Sequence, residues 1–138
     1  MHSFVKYWLL LIVWMSFIFY LSSLTNLASG FEPAIDLILR KLAHIGEYAV
    51  LMILFTRLFI HKLSDMPLSR ILAYAAIFSL LYAVSDEFHQ LFVEGREGTL
   101  RDIGIDSVGI ALVPIILASN NQVARKLATC LGKKEQKW

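Results

Sequence analysis

From Tyr7 to Phe31 the chain carries no charged residue. A helix needs about 20 mainly apolar residues to cross the hydrocarbon of a bilayer, and the stretch from Tyr7 to Leu24 meets that requirement without interruption. Trp8, Trp14 and Tyr20 lie where they can anchor it at the interfaces. A cleavable secretory leader is the rival reading, because Lys6 precedes the run and Ala28-Ser29-Gly30 resembles a cleavage site. Its apolar core would usually be only about 7–15 residues long, so a retained span is expected.

The rest of the chain repeats the demand for lipid. Of 138 residues, 57% are hydrophobic and 17% charged, and the mean hydropathy is +0.62. Soluble domains run at about 45–50% apolar and about 25% charged, and a unit this small cannot hide the excess in a core. A single all-α membrane domain is therefore expected, a bundle of four transmembrane helices with spans at about 5–25, 36–60, 68–91 and 100–124 and a basic tail over 125–138. Gly30 and Pro33, then 61–66, then 93–99 with Gly95 and Gly98, punctuate the chain between spans. Pro67 suits the start of the third helix, and Pro114 is expected to kink the fourth by removing a hydrogen bond.

With four spans, both termini and the 61–70 turn fall on one side. That side carries Lys6, Arg57, Lys62, Arg70, Arg125, Lys126, Lys133, Lys134 and Lys137; the other carries Arg40, Lys41, Arg96 and Arg101. The excess of cations marks the cytoplasmic face, so both termini are expected there and the ends of the spans rich in acids and histidines face outward. A net charge of +2 speaks against a nucleic-acid partner, and the one cysteine, Cys130, rules out an internal disulfide or a cysteine-cluster metal site.

Ionisable residues inside spans are costly, usually pair within the bundle, and often mark function. Here three segments place them at one depth. Lys41, His44 and Tyr48 share a helical face, as do Asp86, His89 and Gln90, and as do Asp102, Asp106 and Gly109. Gly109 permits close backbone approach. The stripes are expected to converge on one polar pocket. In an acid–base reading Asp86, Glu87, His44 and His89 are the candidate catalytic groups, and Lys41, Tyr48, Gln90, Arg96, Asp102 and Asp106 hold a ligand. A weaker alternative takes His44, Glu47, Asp86 and His89 as metal ligands, since Asp86-x-x-His89 has the carboxylate-x-x-His spacing of helical di-metal sites. Otherwise no cofactor is implied. Ser85 lies one turn from His89, but a serine in a span more often bonds a backbone carbonyl. Against each reading stands solvation of these charges in the headgroup region, with Lys41 and Arg101 snorkelling from helix ends.

The order Lys41-x-x-His44-x-x-x-Tyr48, Ser85-Asp86-Glu87-x-His89-Gln90-x-Phe92, Gly95-Arg96 and Asp102 resembles the VanZ-like membrane protein family over roughly residues 5–120. Two positions depart from that pattern: Glu94 stands where the family commonly has proline, and Asp106 where it commonly has asparagine. The resemblance implies a small multi-span protein of the bacterial inner membrane and cell envelope, some relatives of which are associated with reduced susceptibility to teicoplanin. It implies no reaction. Two classes of function follow as expectations. One is a protein that binds or alters the handling of an amphiphile or envelope lipid. The other is an intramembrane acid–base enzyme acting on a lipid-linked substrate. Membrane lipids are the expected partners, and oligomerisation is left open.

Overall fold

A computed structural model describes residues 2–24, 32–96 and 98–119. The described residues form four helices and no strand: α1 (His2–Ser22), α2 (Pro33–Lys62), α3 (Leu68–Gln90) and α4 (Leu100–Ser119). All four are long and apolar enough to cross a membrane. The expected spans are reproduced with shifted ends. The expected basic tail, Cys130, residues 120–124 and the Ala28–Gly30 segment lie outside the described residues.

Local chemistry sets most helix ends. Pro33 begins α2, and Asp36 lies in its first turn while His61 and Lys62 lie in its last. Both charge placements complement the helix dipole. Pro67 sits one residue before α3 rather than inside it. Its carbonyl accepts the amides of Arg70 (3.1 Å) and Ile71 (3.2 Å), two donors that the first turn leaves without intrahelical partners. Thr99 caps α4: its Oγ1 accepts the Asp102 N–H at 3.2 Å. Gly95 takes a positive φ of 77° in the turn before it, a backbone state glycine enters without a Cβ penalty. Pro114 is accommodated inside α4, which continues through it.

α1 and α4 each pack on α2 and α3 but not on each other. Apolar side chains fill the bundle axis, among them Leu11, Ile18, Leu51, Met52 and Ile110. The outer faces are equally apolar: Leu9, Val13, Ile77, Leu81, Ile115 and Ile116 are all exposed. An outer surface of this kind suits lipid, not water. Meanwhile Asp86, Glu87, Gln90 and Asp106 are buried, so polarity is turned inward at one end of the bundle. At the opposite end the Arg57 guanidinium lies over the Tyr7 ring at 5.0 Å, and Tyr7 meets His61 with ring centroids 4.9 Å apart.

α2 is the outlier in length. Its 30 residues span about 45 Å, against a hydrocarbon thickness of about 30 Å. The surplus is about ten residues, enough for the turns around Asp36 and Arg40 to reach the headgroup zone while His44 and Tyr48 lie deeper.

Candidate functional site

The polar end is assembled from the last turn of α1, the first half of α2, the last turns of α3 and the first turns of α4. The contact of α2 with α4 determines its geometry. A Cβ added at Gly109 would collide with the Ile45 carbonyl oxygen and lie 3.1 Å from the Ala49 amide nitrogen, so only glycine lets the two backbones come this close. That approach aligns the α2 and α4 stripes one turn apart. Lys41 forms a short ion pair with Asp102, and His44 Nδ1 lies 3.0 Å from Asp106 Oδ1. Asp106 is fully buried and its second oxygen, Oδ2, has no hydrogen-bond partner among the described residues.

α3 feeds a second group into the same layer. Gln90 Nε2 donates to Asp86 Oδ2 (3.3 Å) and to Glu87 Oε1 (3.1 Å). The Thr99 amide donates to Glu87 Oε2 at 2.9 Å. Here Gly98 has its reason, because a Cβ there would strike the Glu87 carbonyl oxygen. The Tyr48 hydroxyl is buried and without a hydrogen-bond partner among the described residues, and Ser22 lies beside the Asp86 carboxylate. His44, Glu87 and Asp106 each offer a ligand atom within 4.8 Å of those of the other two.

α1 closes the other side. Arg96 donates from Nη2 to the carbonyls of Leu21 (3.0 Å) and Leu24 (3.0 Å), and from Nε to Leu24 (3.1 Å). The last carbonyls of a helix lack intrahelical donors and carry partial negative charge, so a guanidinium fork is well matched to them. His89 also turns to α1. Its ring stacks on Phe19 at 4.1 Å, and its Nε2 lies 3.1 Å from Ser23 Oγ. Ser23 spends its one proton on the Phe19 carbonyl (2.8 Å), so His89 Nε2 is the donor in that pair. Trp14 Nε1 donates to the Glu47 carbonyl (3.1 Å) and Tyr82 Oη to the Met15 carbonyl (2.6 Å), tying α1 to α2 and α3.

Between α1 and α2 a cavity of about 250 Å³ remains, partly open to the outside. Its polar lining is Ser22, Asp36, Arg40, His44, Glu47, Asp86 and Arg96, and its apolar walls include Ile18, Leu21 and Leu39. Asp36 and Arg40 face each other at 3.7 Å.

The structure therefore brings the expected residues together in two places. His44, Asp86 and Arg96 reach the cavity. Lys41, Tyr48, Glu87, Gln90, Asp102 and Asp106 are not among its lining residues and form the packed network behind it. His89 points from α3 toward α1, so Glu47, Asp86, His44 and His89 do not gather around one point, whereas His44, Glu87 and Asp106 do. Ser85 Oγ donates to the Tyr82 carbonyl at 2.8 Å, the backbone bond expected of a serine in a span, and His89 is engaged elsewhere. Asp36, Ser23 and Thr99 stand outside the expected set, and Arg40 was expected only as one of the outward-side cations. Asp36, Arg40 and Thr99 had a signal: Asp36, Arg40, His44 and Glu47 follow helical spacing, and Thr99-x-x-Asp102 has the spacing of a capping box.

The geometry rests on residues that a family profile also spans. The VanZ/LLP1 profile matches residues 7–120. The chain belongs to the VanZ/LLP1 family. The matched stretch includes all four helices apart from the first turn of α1, and every side chain of the cavity and of the buried network. No curated protein and no solved structure matches this VanZ/LLP1 member. Family membership and the four apolar helices together make it a multi-pass membrane protein.

Proposed function

We propose that this protein binds the polar headgroup of an amphiphile in the α1–α2 cavity, at the outer face of the bacterial cell membrane, and so alters how an envelope lipid or a lipid-tailed compound is handled there. The observation that carries the reading is the cavity's lining. Two guanidinium side chains, Arg40 and Arg96, and three carboxylates, Asp36, Glu47 and Asp86, share a space of about 250 Å³ with apolar walls, Asp36 facing Arg40. Guanidinium groups match phosphate oxygens, and carboxylates match an amine, so a zwitterionic phosphate-bearing headgroup fits the charges while its chains lie along Ile18, Leu21 and Leu39. The excess of Lys and Arg on the side of both termini supports placing this end outward.

The test is the lipid that stays with the protein. Native mass spectrometry of protein released from its own membranes should detect a phosphate-bearing amphiphile, retained by wild type and lost in the Arg40→Gln, Glu47→Gln double variant. Equal retention by both would remove the support for this cavity. A deletion strain scored for lipid composition and teicoplanin tolerance then asks which amphiphile matters.

A second reading is favoured by one specific contact. His44 lines the cavity and is paired with buried Asp106, the arrangement in which a carboxylate orients an imidazole for proton transfer. Under that reading Asp86 is a partner acid or base. Envelope lipidomics with the gene deleted, then restored as wild type or as Asp86→Asn, separates the two: a lipid species converted only by wild type indicates chemistry.

A further inference from the structure

We infer that His44, Glu87 and Asp106 form a binding site for one divalent transition-metal ion of the zinc class. The inference is independent of whether the cavity takes a headgroup. It begins with charge. Asp86, Glu87 and Asp106 are 2%, 3% and 0% exposed, and they lie in one layer of the bundle. Three carboxylates in a low-dielectric setting need positive charge beside them. Arg40 and Arg96 lie in the cavity on the Asp86 side, and Lys41 is paired with Asp102. For Glu87 and Asp106, the two carboxylates behind the cavity, the cation-forming side chain within hydrogen-bond reach among the described residues is His44, on Asp106.

Geometry then selects the ion. The ligand atoms of His44, Glu87 and Asp106 lie within 4.8 Å of one another. Around a zinc-class ion, with bonds of about 2.0–2.2 Å, ligand atoms stand roughly 3–4 Å apart. Closure needs a contraction of about 1 Å, within the reach of side-chain rotation. One imidazole nitrogen and two carboxylates suit zinc, and three protein ligands leave a position for an oxygen from water or a bound molecule. A second, separate observation points the same way: Asp106 Oδ2 is buried and unpartnered among the described residues, an acceptor with lone pairs and no proton to take. The outer contacts are also those of a metal site. Glu87 is held on both oxygens, by Gln90 Nε2 and by the Thr99 amide, and such second-layer hydrogen bonds fix a ligand's orientation. His89 is excluded by its bond to Ser23 and its stacking on Phe19.

The probe is Co²⁺ alone, followed by Zn²⁺. The full-length protein, purified in detergent without a polyhistidine tag and stripped with chelator, is titrated with Co²⁺. We expect one equivalent to bind with the intensified visible bands of a four- or five-coordinate ion, and Zn²⁺ to displace it. Asp106→Asn and Glu87→Gln keep shape and hydrogen-bonding capacity and remove one anionic ligand each. Loss of an outer contact alone typically weakens a metal roughly 10–100-fold, so each of these should weaken Co²⁺ at least as much. His89→Gln and His61→Gln should bind as wild type. Absence of binding, octahedral aqua-like spectra, or affinity unchanged in both ligand variants would overturn the site and leave protons as the neutralising charge. Should the variants fail to fold, wild type still decides: its thermal midpoint must rise with Zn²⁺ and saturate at one equivalent, and a midpoint that does not respond refutes the inference.

Discussion

Replacing Gly109 by alanine tests the contact on which the polar layer depends. The added Cβ would overlap the Ile45 carbonyl oxygen and lie 3.0 Å from the Ile45 carbonyl carbon and 3.1 Å from the Ala49 nitrogen. Comfortable contacts between heavy atoms begin near 3.5 Å, so α2 and α4 must part by roughly 1 Å, and the backbone carbonyl cannot move aside as a side-chain tip can. Overpacking of this kind costs about 1–3 kcal/mol. Alanine also returns about 1 kcal/mol of helix propensity. Gly104 supplies the control that isolates the first term: it lies on the same helix, and a Cβ there meets nothing within 4 Å. Gly104→Ala should therefore stabilise by about 0.5–1 kcal/mol, while Gly109→Ala should destabilise by about 0–2 kcal/mol net, leaving it about 1–3 kcal/mol less favourable than the Gly104 change. Reversible unfolding in mixed micelles with denaturing detergent, followed by circular dichroism, measures both. Equal effects of the two alanines would refute the claim that α2 and α4 approach each other at Gly109.

Further outcomes follow from the same contacts. Lys41→Met should lower stability by about 1–3 kcal/mol because it strands the Asp102 carboxylate, and adding Asp102→Asn should recover much of the loss; thermal midpoints of the double-mutant cycle check this, with exposed Arg70→Ala as the neutral control. Gln90→Leu removes the one donor shared by Asp86 and Glu87, and a loss of about 1–3 kcal/mol is expected in the same assay. Alkaline phosphatase fused after Thr99 should be active and fused after Asp65 inactive. The reverse pattern would turn the polar end to the cytoplasm.

The four spans were legible because length and lack of charge are properties of the chain alone. The pairing of α2 with α4 was also within reach, since Lys41, His44 and Asp102, Asp106 repeat at helical spacing, and Gly109 marks the approach. What helical spacing cannot supply is the neighbour that a face meets. Asp86, His89 and Gln90 were grouped on one stripe, yet α1 packs beside α3 and draws His89 to Ser23 and Phe19, leaving Asp86 and Gln90 inside. Arg96 is a second case: the sequence offers it as a ligand-holding residue and names no neighbour for it. Carbonyls at the end of α1 satisfy it because the fold ends that helix beside the α3–α4 turn, a fact absent from local sequence. The cavity lay on a stripe that the sequence does display, from Asp36 through Arg40 and His44 to Glu47. Spacing alone does not show that this stripe faces α1, whose last turns supply the opposite wall through Ile18 and Leu21.

The claim that a headgroup occupies the α1–α2 cavity is tested most directly by crosslinking in intact membranes. Ala43 lines the cavity, and Ala73 is exposed on the lipid-facing surface of α3. A photoactivatable residue placed at each position, irradiated before solubilisation and analysed by mass spectrometry, reports what lies beside it. Position 43 should capture one class of phosphate-bearing amphiphile, enriched over its abundance in the membrane, and Glu47→Gln together with Arg40→Gln should abolish the enrichment. Adducts at 43 that match those at 73, in proportion to bulk lipid, would contradict it.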